Sequence, residues 1–428
     1  MERLFQGKNP KRFIYHFKEV VIMKKSVLKN RIQKMISVVL AITCLVFCLT
    51  GCGAAGGSQS AGKDDVIKIG LVFSLTGGTA ITEECMYNSA VLAIEEINAA
   101  GGINGKQIDY VVKDYATDPD TAVKVVREMI QQDGVCAVVG PYTSSARVAI
   151  EPLMEEYNVP LIYPTFYEGE TPNEYVVYTG CVPNQQGDYF VPYLYENISH
   201  NFYLLGTDTT YAQGINAQAE SLIASLGGTV VGNELVSSDV TEFSDVIAKI
   251  KSTCGDDGCV IYVNLNGDSG TSFYTQFAAA GLSDKYTIAS FIMDESFSTA
   301  LGSAAANTYA SVNYFNSIKS DANEKYLAAY GAKFGANKAQ AITAVGEATY
   351  DAVYLLSRSL EKCGDEITTE SILANFDDLS FDAPQGTIKV DPETHHIYCK
   401  ARIGLVKEDG TIETVFESDD VIKPEPTK

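Results

Sequence analysis

From Val66 onward, short apolar runs alternate with longer stretches whose apolar residues recur every three or four positions. VIKIGLVFSL (66–75), QIDYVVKDYA (107–116), VCAVVG (135–140) and PLIYPT (160–165) read as strands. Between them, residues 86–100 place Ala90, Val91, Ile94 and Ile97 on one face at helical spacing, and Gly101-Gly102 stops that helix. Residues 119–133 turn Val123, Val126 and Ile130 inward, and Ser144 or Ser145 caps a helix reaching Tyr157. Strands joined through helices in this way imply right-handed crossovers and a parallel sheet.

The pattern restarts after Pro183. NFYLLGTD (201–208), TVVGNELV (229–236), GCVIYVNL (258–265) and YTIASFI (286–292) read as strands, separated by helices over 212–226, 243–251 and 272–280. TYASVNYF (308–315) leads to two more helices, 324–334 and 343–362. The end of the chain reads as antiparallel strands with turns at Asp391-Pro392 and Asp409-Gly410. The expected architecture is α/β: two Rossmann-like parallel-sheet lobes, with the chain crossing between them more than once. The expected division is 66–184 with 312–385 for the first lobe and 185–311 with 386–428 for the second.

Ligands of open α/β sheets sit beyond the carboxyl ends of the strands. Tyr142, Thr143 and Ser144 follow the third strand, while Tyr163 and Thr165 end the fourth, so one rim collects both. Ser144 also opens a helix, whose free N–H groups attract an oxygen bearing negative charge. A plain helix cap for Ser144, and interlobe packing for the tyrosines, are the alternative readings.

Charge divides the chain. Residues 1–51 hold ten Lys/Arg against two acids, net +8, so the remainder carries −30 of the overall −22. A body that acidic repels phosphate backbones and argues against nucleic-acid binding. The basic head has its own order: MKKSVLKNRIQK, then apolar MISVVLAITCLVF, then CLTGC. That order marks a secretory signal over 1–51. Met23 already supplies a complete start, so residues 1–22 read as an extension upstream of it. Residues 52–65 read as a flexible tether. Of the ten cysteines, Cys44, Cys48 and Cys52 fall in this head, leaving a scattered seven that make no disulfide framework. Cys254 and Cys259 are spaced to close a small loop.

Several motifs fail on chemistry. Gly267-Asp268-Ser269-Gly270 looks like a serine-protease nucleophile, but no histidine and aspartate stand in the matching context. GGINGKQ (101–107) follows a helix and lacks Ser/Thr after its lysine, so it is no phosphate loop. His395-His396 lacks neighbouring ligands for a metal site. Glu168 and Glu170 are acids without a recognisable nucleophile. No catalytic residue, metal or cofactor is expected.

Taken together, LAIEEINAAGGINGK (92–106), YPTFYEGE (163–170), VYTGCVPNQQ (177–186), FYLLGTD (202–208), LNGDS (265–269), EATY (347–350), FDAPQG (381–386) and HH (395–396) resemble segments of one family. This is the substrate-binding lipoproteins of ABC importers in the type I periplasmic-binding-protein fold. The similarity runs from about Ile67 to Pro426 and is strongest to the urea- and short-chain-amide-binding group. It implies two lobes joined by a hinge and closing on a small solute, a partner permease in the membrane, and no enzymatic activity. Leu49-Thr50-Gly51-Cys52 is similar to the bacterial lipobox. That implies a lipid on Cys52 and a place on the extracytoplasmic face of the cell membrane. Tyr142, Ser144, Tyr163 and Thr165 match the family's strand-end ligand positions, and Tyr211 an aromatic after GTD in the second lobe. The chain departs at Thr209, where amide-binding relatives carry tyrosine. Urea offers one carbonyl and four N–H donors. Helix N–H groups and Ser144 suit the carbonyl. Phenol oxygens, Thr165 and Asp268 or Glu295 suit the donors. An amino acid would use the same helix end for its carboxylate and an acid for its ammonium, so a branched-chain amino-acid receptor is the alternative.

Overall fold

The computed structural model describes residues 66–427 except Asp257 and Asp284. The expected signal, tether and Cys52 lie outside the described residues. The first half opens with β1 (Val66–Phe73), α1 (Ala80–Ala99), β2 (Gln107–Asp114) and α2 (Pro119–Glu128), followed by a wider turn of helix over Met129–Asp133. Then come β3 (Val138–Val139), α3 (Ser144–Tyr157), β4 (Leu161–Tyr163) and β5 (Val176–Tyr178). The five strands are all parallel, in the order β2-β1-β3-β4-β5. Chain order therefore reverses beside β1.

The second half holds α4 (Pro183–Asn197), β6 (Asn201–Thr207), α5 (Thr210–Ser225), β7 (Thr229–Val236), α6 (Ser244–Cys254), β8 (Val260–Asn264), α7 (Gly267–Ala279), β9 (Thr287–Ser290), α8 (Glu295–Leu301) and β10 (Tyr309–Val312). The chain returns through α9 (Asp321–Phe334), α10 (Ala336–Ala339), α11 (Ala344–Cys363) and α12 (Thr369–Ala374). It closes with β11 (Ser380–Ala383), β12 (Gly386–Val390), β13 (Ile397–Tyr398), β14 (Arg402–Val406) and β15 (Ile412–Glu417). The second sheet runs β15-β14-β10-β9-β8-β6-β7, in which β14 alone runs against the others, antiparallel to its neighbours β10 and β15. Here chain order reverses beside β6. Each sheet buries aliphatic side chains against its helices; Leu71, Val139, Ile162, Leu205, Ile261 and Val263 are almost wholly excluded from water. Cys254 and Cys259 are joined by a disulfide.

Three differences from the sequence pattern have physical causes. α1 begins at Ala80, six residues before the apolar face starts, because Thr79 and Glu83 bond each other and make a polar first turn. β5 and α4 break the expected gap between the halves. β5 is only three residues long, and α4 opens on Pro183, a residue suited to a first helical turn. Residues 386–398 were expected with the second lobe. Instead β12 pairs with β11 and β13, and Tyr178 of the first sheet bridges His396. The His396 ring stacks on Tyr178 at 4.0 Å, which locks the hairpin to that sheet.

Candidate functional site

A cavity of about 430 Å³ lies where the two sheets present their strand ends to each other. Every segment lining it follows the carboxyl end of a parallel strand. From the first half come Gly78 and Thr79 after β1, Thr117 after β2, Tyr142–Ser145 after β3, and Thr165 and Phe166 after β4. From the second come Thr207 at the end of β6 with Thr209, Thr210 and Tyr211 just after it, Ser238 after β7, Asn266–Asp268 after β8, and Ile292 after β9. The two places where chain order reverses, beside β1 and beside β6, thus face the same space, as expected for ligand crevices in open sheets.

Four helices begin at this wall: α1, α3, α5 and α7, with Thr79, Thr143, Thr209 and Asn266 at their starts. Thr143 and Thr209 accept from the N–H of Ala146 and Ala212, each at 3.3 Å, and so cap α3 and α5. The remaining first-turn N–H groups have no intrahelical partner, and the helix dipoles add positive potential. Gly267 carries α7 up to the first half. Its φ is +55°, and a Cβ there would stand 2.6 Å from the Gly78 carbonyl oxygen.

Six of the eight expected ligand residues line the cavity: Tyr142, Thr143, Ser144, Thr165, Tyr211 and Asp268. The Thr165 hydroxyl and the Tyr211 phenol are buried and bond nothing within the protein. Burial holds the Tyr211 phenol neutral by pushing its pKa well up. Phe166 and Tyr211 bring their rings to 5.9 Å across the two halves. Asp268 is exposed at the mouth and is the sole charged side chain of the lining.

Tyr163 and Glu295 do not line it. The Tyr163 hydroxyl donates to the Tyr142 carbonyl at 3.0 Å, and its ring lies under the Arg147 guanidinium. β4 ends at Tyr163, whose side chain packs under Arg147, while Thr165 lies in the loop beyond the strand and reaches the rim. Glu295 accepts from the Asn316 N–H at 2.7 Å beneath the chain passing between the halves. Burial raises its carboxyl to about 8.

The pattern missed the loop after β1. Thr79 lines the cavity and donates to buried Glu83, which also receives Ser74 N–H at 2.6 Å and Tyr115 hydroxyl at 2.8 Å. Burial raises Glu83 to about 7, with these donors pulling the other way. SLTGGT (74–79) is a strand end running into a helix, the same signal that exposed 142–144. It was obscured because the apolar face begins only at Met86. His396 has no free ring nitrogen: one faces the Tyr167 hydroxyl at 2.9 Å and the other the Thr394 carbonyl at 2.7 Å. Burial lowers its pKa to about 3, so it is neutral. Among the described residues no cluster of His, Cys, Asp and Glu is arranged for a metal.

Residues 67–428 match the family described as "Periplasmic binding protein domain". A leucine-, isoleucine-, valine-, threonine- and alanine-binding protein of Pseudomonas aeruginosa is 27% identical over 76% of this chain and 86% of its own length. A Leu/Ile/Val-binding protein of Rhizobium johnstonii is 26% identical over 72% and 82%. Among solved structures, a solute-binding protein of an ABC transporter from Rhodopseudomonas palustris, in complex with 3,4-dihydroxybenzoic acid, is 25% identical with a TM-score of 0.75, covering 84% of this chain and 99% of that one. The branched-chain amino acid transporter substrate-binding protein LivJ of Streptococcus pneumoniae, bound to isoleucine, is 26% identical with a TM-score of 0.71, covering 84% and 100%.

Proposed function

From the premise that the chain belongs to the periplasmic-binding-protein family, we propose that it captures a small neutral polar solute, urea or a short-chain amide, for an ABC importer. It acts as an extracytoplasmic receptor, not an enzyme, and hands its solute to a membrane permease. Cys52 carries the lipid that tethers it. The two sheets are the cores of two lobes, and the solute sits between them.

The observation that carries the ligand class is the chemistry of the wall. Ten of the nineteen lining residues are serine or threonine, and Ile292 is the sole branched aliphatic one. A leucine or isoleucine side chain gains from apolar surface, at about 25 cal/mol per Å² buried. A wall of hydroxyls offers little of that and leaves polar atoms unmatched. An amide carbonyl suits the α3 N-terminus, while Thr165 and Tyr211 supply oxygens for N–H groups. No arginine or lysine lines the cavity to fix a full negative charge.

A second reading, an amino-acid receptor, has its own support. Four helix N-termini suit an α-carboxylate and Asp268 suits an ammonium. The relatives named above bind amino acids, and one structure holds an aromatic acid. Calorimetric titration of the mature protein with urea, acetamide, formamide, leucine and glutamate separates the readings. Tighter binding of leucine than of any amide would move the ligand to the second class. Sustained release of ammonia from urea would overturn the receptor reading altogether. For the tether, Cys52→Ala should release the protein from membranes; unchanged membrane retention would remove the lipid from the proposal.

A further inference from the structure

Glu168 lies just outside the cavity wall, in the loop after β4, and its carboxylate is fixed from three sides. Ser144, the first residue of α3, donates its hydroxyl to Glu168 Oε2 at 2.7 Å. Buried Arg147, one turn further along α3, stands 3.7 Å from Oε1. The same guanidinium also pairs with Glu151 and Glu170, so one cation faces three carboxylates and the cluster stays negative. Tyr163 and Tyr167 pack against Arg147, with ring centres 5.3 and 4.8 Å from the guanidinium carbon, and hold it in place. From the second half, α5 closes the remaining side. A Cβ on Gly214 would stand 2.6 Å from the Glu168 Cβ, so only glycine lets that helix rest there.

We propose that Glu168 is a specificity residue, holding a negative charge beside the α3 N-terminus and so excluding a ligand carboxylate from it. This rests on the cavity being the solute site. A helix N-terminus normally welcomes an anion. Here the Ser144 hydroxyl already donates its hydrogen bond to a carboxylate of the protein, so Ser144 presents only lone pairs to the ligand. A neutral carbonyl still finds the free backbone N–H groups. A carboxylate finds the same groups with a like charge one side chain away.

The experiment is titration of wild type, Glu168→Gln and Gly214→Ala with acetamide and with leucine. Glutamine keeps an acceptor for Ser144 and removes only the charge. The Gly214→Ala methyl displaces Glu168 from behind Ser144 without altering any cavity side chain. In either variant the affinity for leucine relative to acetamide should rise roughly tenfold. The ratio is read from whichever variant keeps the wild-type melting profile without ligand. A ratio within about twofold of wild type, below what one lost interaction produces, overturns the proposal. The wild-type preference separately tests the amide reading. If wild type prefers leucine, that reading falls, and a further rise in the variants still supports Glu168 as the restraint. Absence of binding by both ligands in all three proteins overturns both.

Discussion

Glu83 in the first half and Glu295 in the second are both shut away from water, at 0% and 2% exposure. They are furnished differently. Glu83 receives three donors: Ser74 N–H, the Thr79 hydroxyl and the Tyr115 hydroxyl. Glu295 receives the Asn316 N–H on one oxygen, while its other oxygen has no partner. Desolvation pushes both carboxyls up, to about 7 and about 8. Donors to the charged form are what hold Glu83 back. The contrast extends to the rims. Glu83 braces the α1 start through Thr79, and through Tyr115 it reaches the Thr143 N–H at 3.4 Å. The first-half wall is therefore wired to one buried acid. On the second-half wall, the Tyr211 hydroxyl has no such bond within the protein. The first-half wall around Thr79 and Thr143 is preorganised by the protein, whereas the Thr165 and Tyr211 hydroxyls, one from each half, are left for what binds.

The sharpest way to break this comparison is Glu83→Ala. It strands three donors, each costing about 1–3 kcal/mol when buried unmatched, so a loss on the order of 4 kcal/mol is expected. Guanidinium denaturation measures it, and a loss under about 1 kcal/mol would show that Glu83 braces nothing.

Acid titration sharpens the same contrast. A carboxyl whose pKa is raised by folding binds its proton more tightly in the native state. Its stabilising contribution is complete below the ordinary value and is lost as pH rises through the raised one. For Glu83 that window runs from 4.5 to about 7, and for Glu295 from 4.5 to about 8. The cost across the window should be on the order of 3 kcal/mol for Glu83 and on the order of 5 kcal/mol for Glu295. Glu83→Gln should flatten the stability profile up to about pH 7, and Glu295→Gln up to about pH 8. Parallel profiles for wild type and both variants would contradict the assignment.

Affinity should separate the two tyrosines. Tyr211→Phe removes an unpartnered phenol that faces the cavity, so binding should weaken about three- to tenfold while the melting temperature holds. Tyr163→Phe removes a donor to the Tyr142 carbonyl, so it should cost stability, about 1 kcal/mol, and leave affinity nearly unchanged. Equal affinity losses in both would restore Tyr163 to the site.

Much of this was legible without coordinates. Short apolar runs mark β1 and β6, which are buried almost throughout, and period-3.6 spacing marks α11, because these signals lie between neighbours in the chain. The rim at Tyr142, Thr143 and Ser144 was legible because a strand end meeting a helix start is a sequence signal with a chemical meaning. β5 was not, since three residues carry no periodicity, and the α1 start was not, since its first turn is polar.

The sequence by itself determined two sets of alternating strands and helices, the rim residues that follow their strands, and an acidic body behind a basic, apolar head. These depend on neighbours in the chain. Only the tertiary structure decided which of two residues at the end of β4 faces the cavity. Thr165 lines the cavity while Tyr163, two positions earlier, spends its hydroxyl on the Tyr142 carbonyl under Arg147. Only the tertiary structure, likewise, set Glu168 against both Ser144 and Gly214 and wired Thr79 to Glu83. A side chain's role here follows from partners distant in sequence: Ser144 and Gly214 are brought together by two different sheets. Periodicity records which face is buried, but not which atoms are left there without a partner.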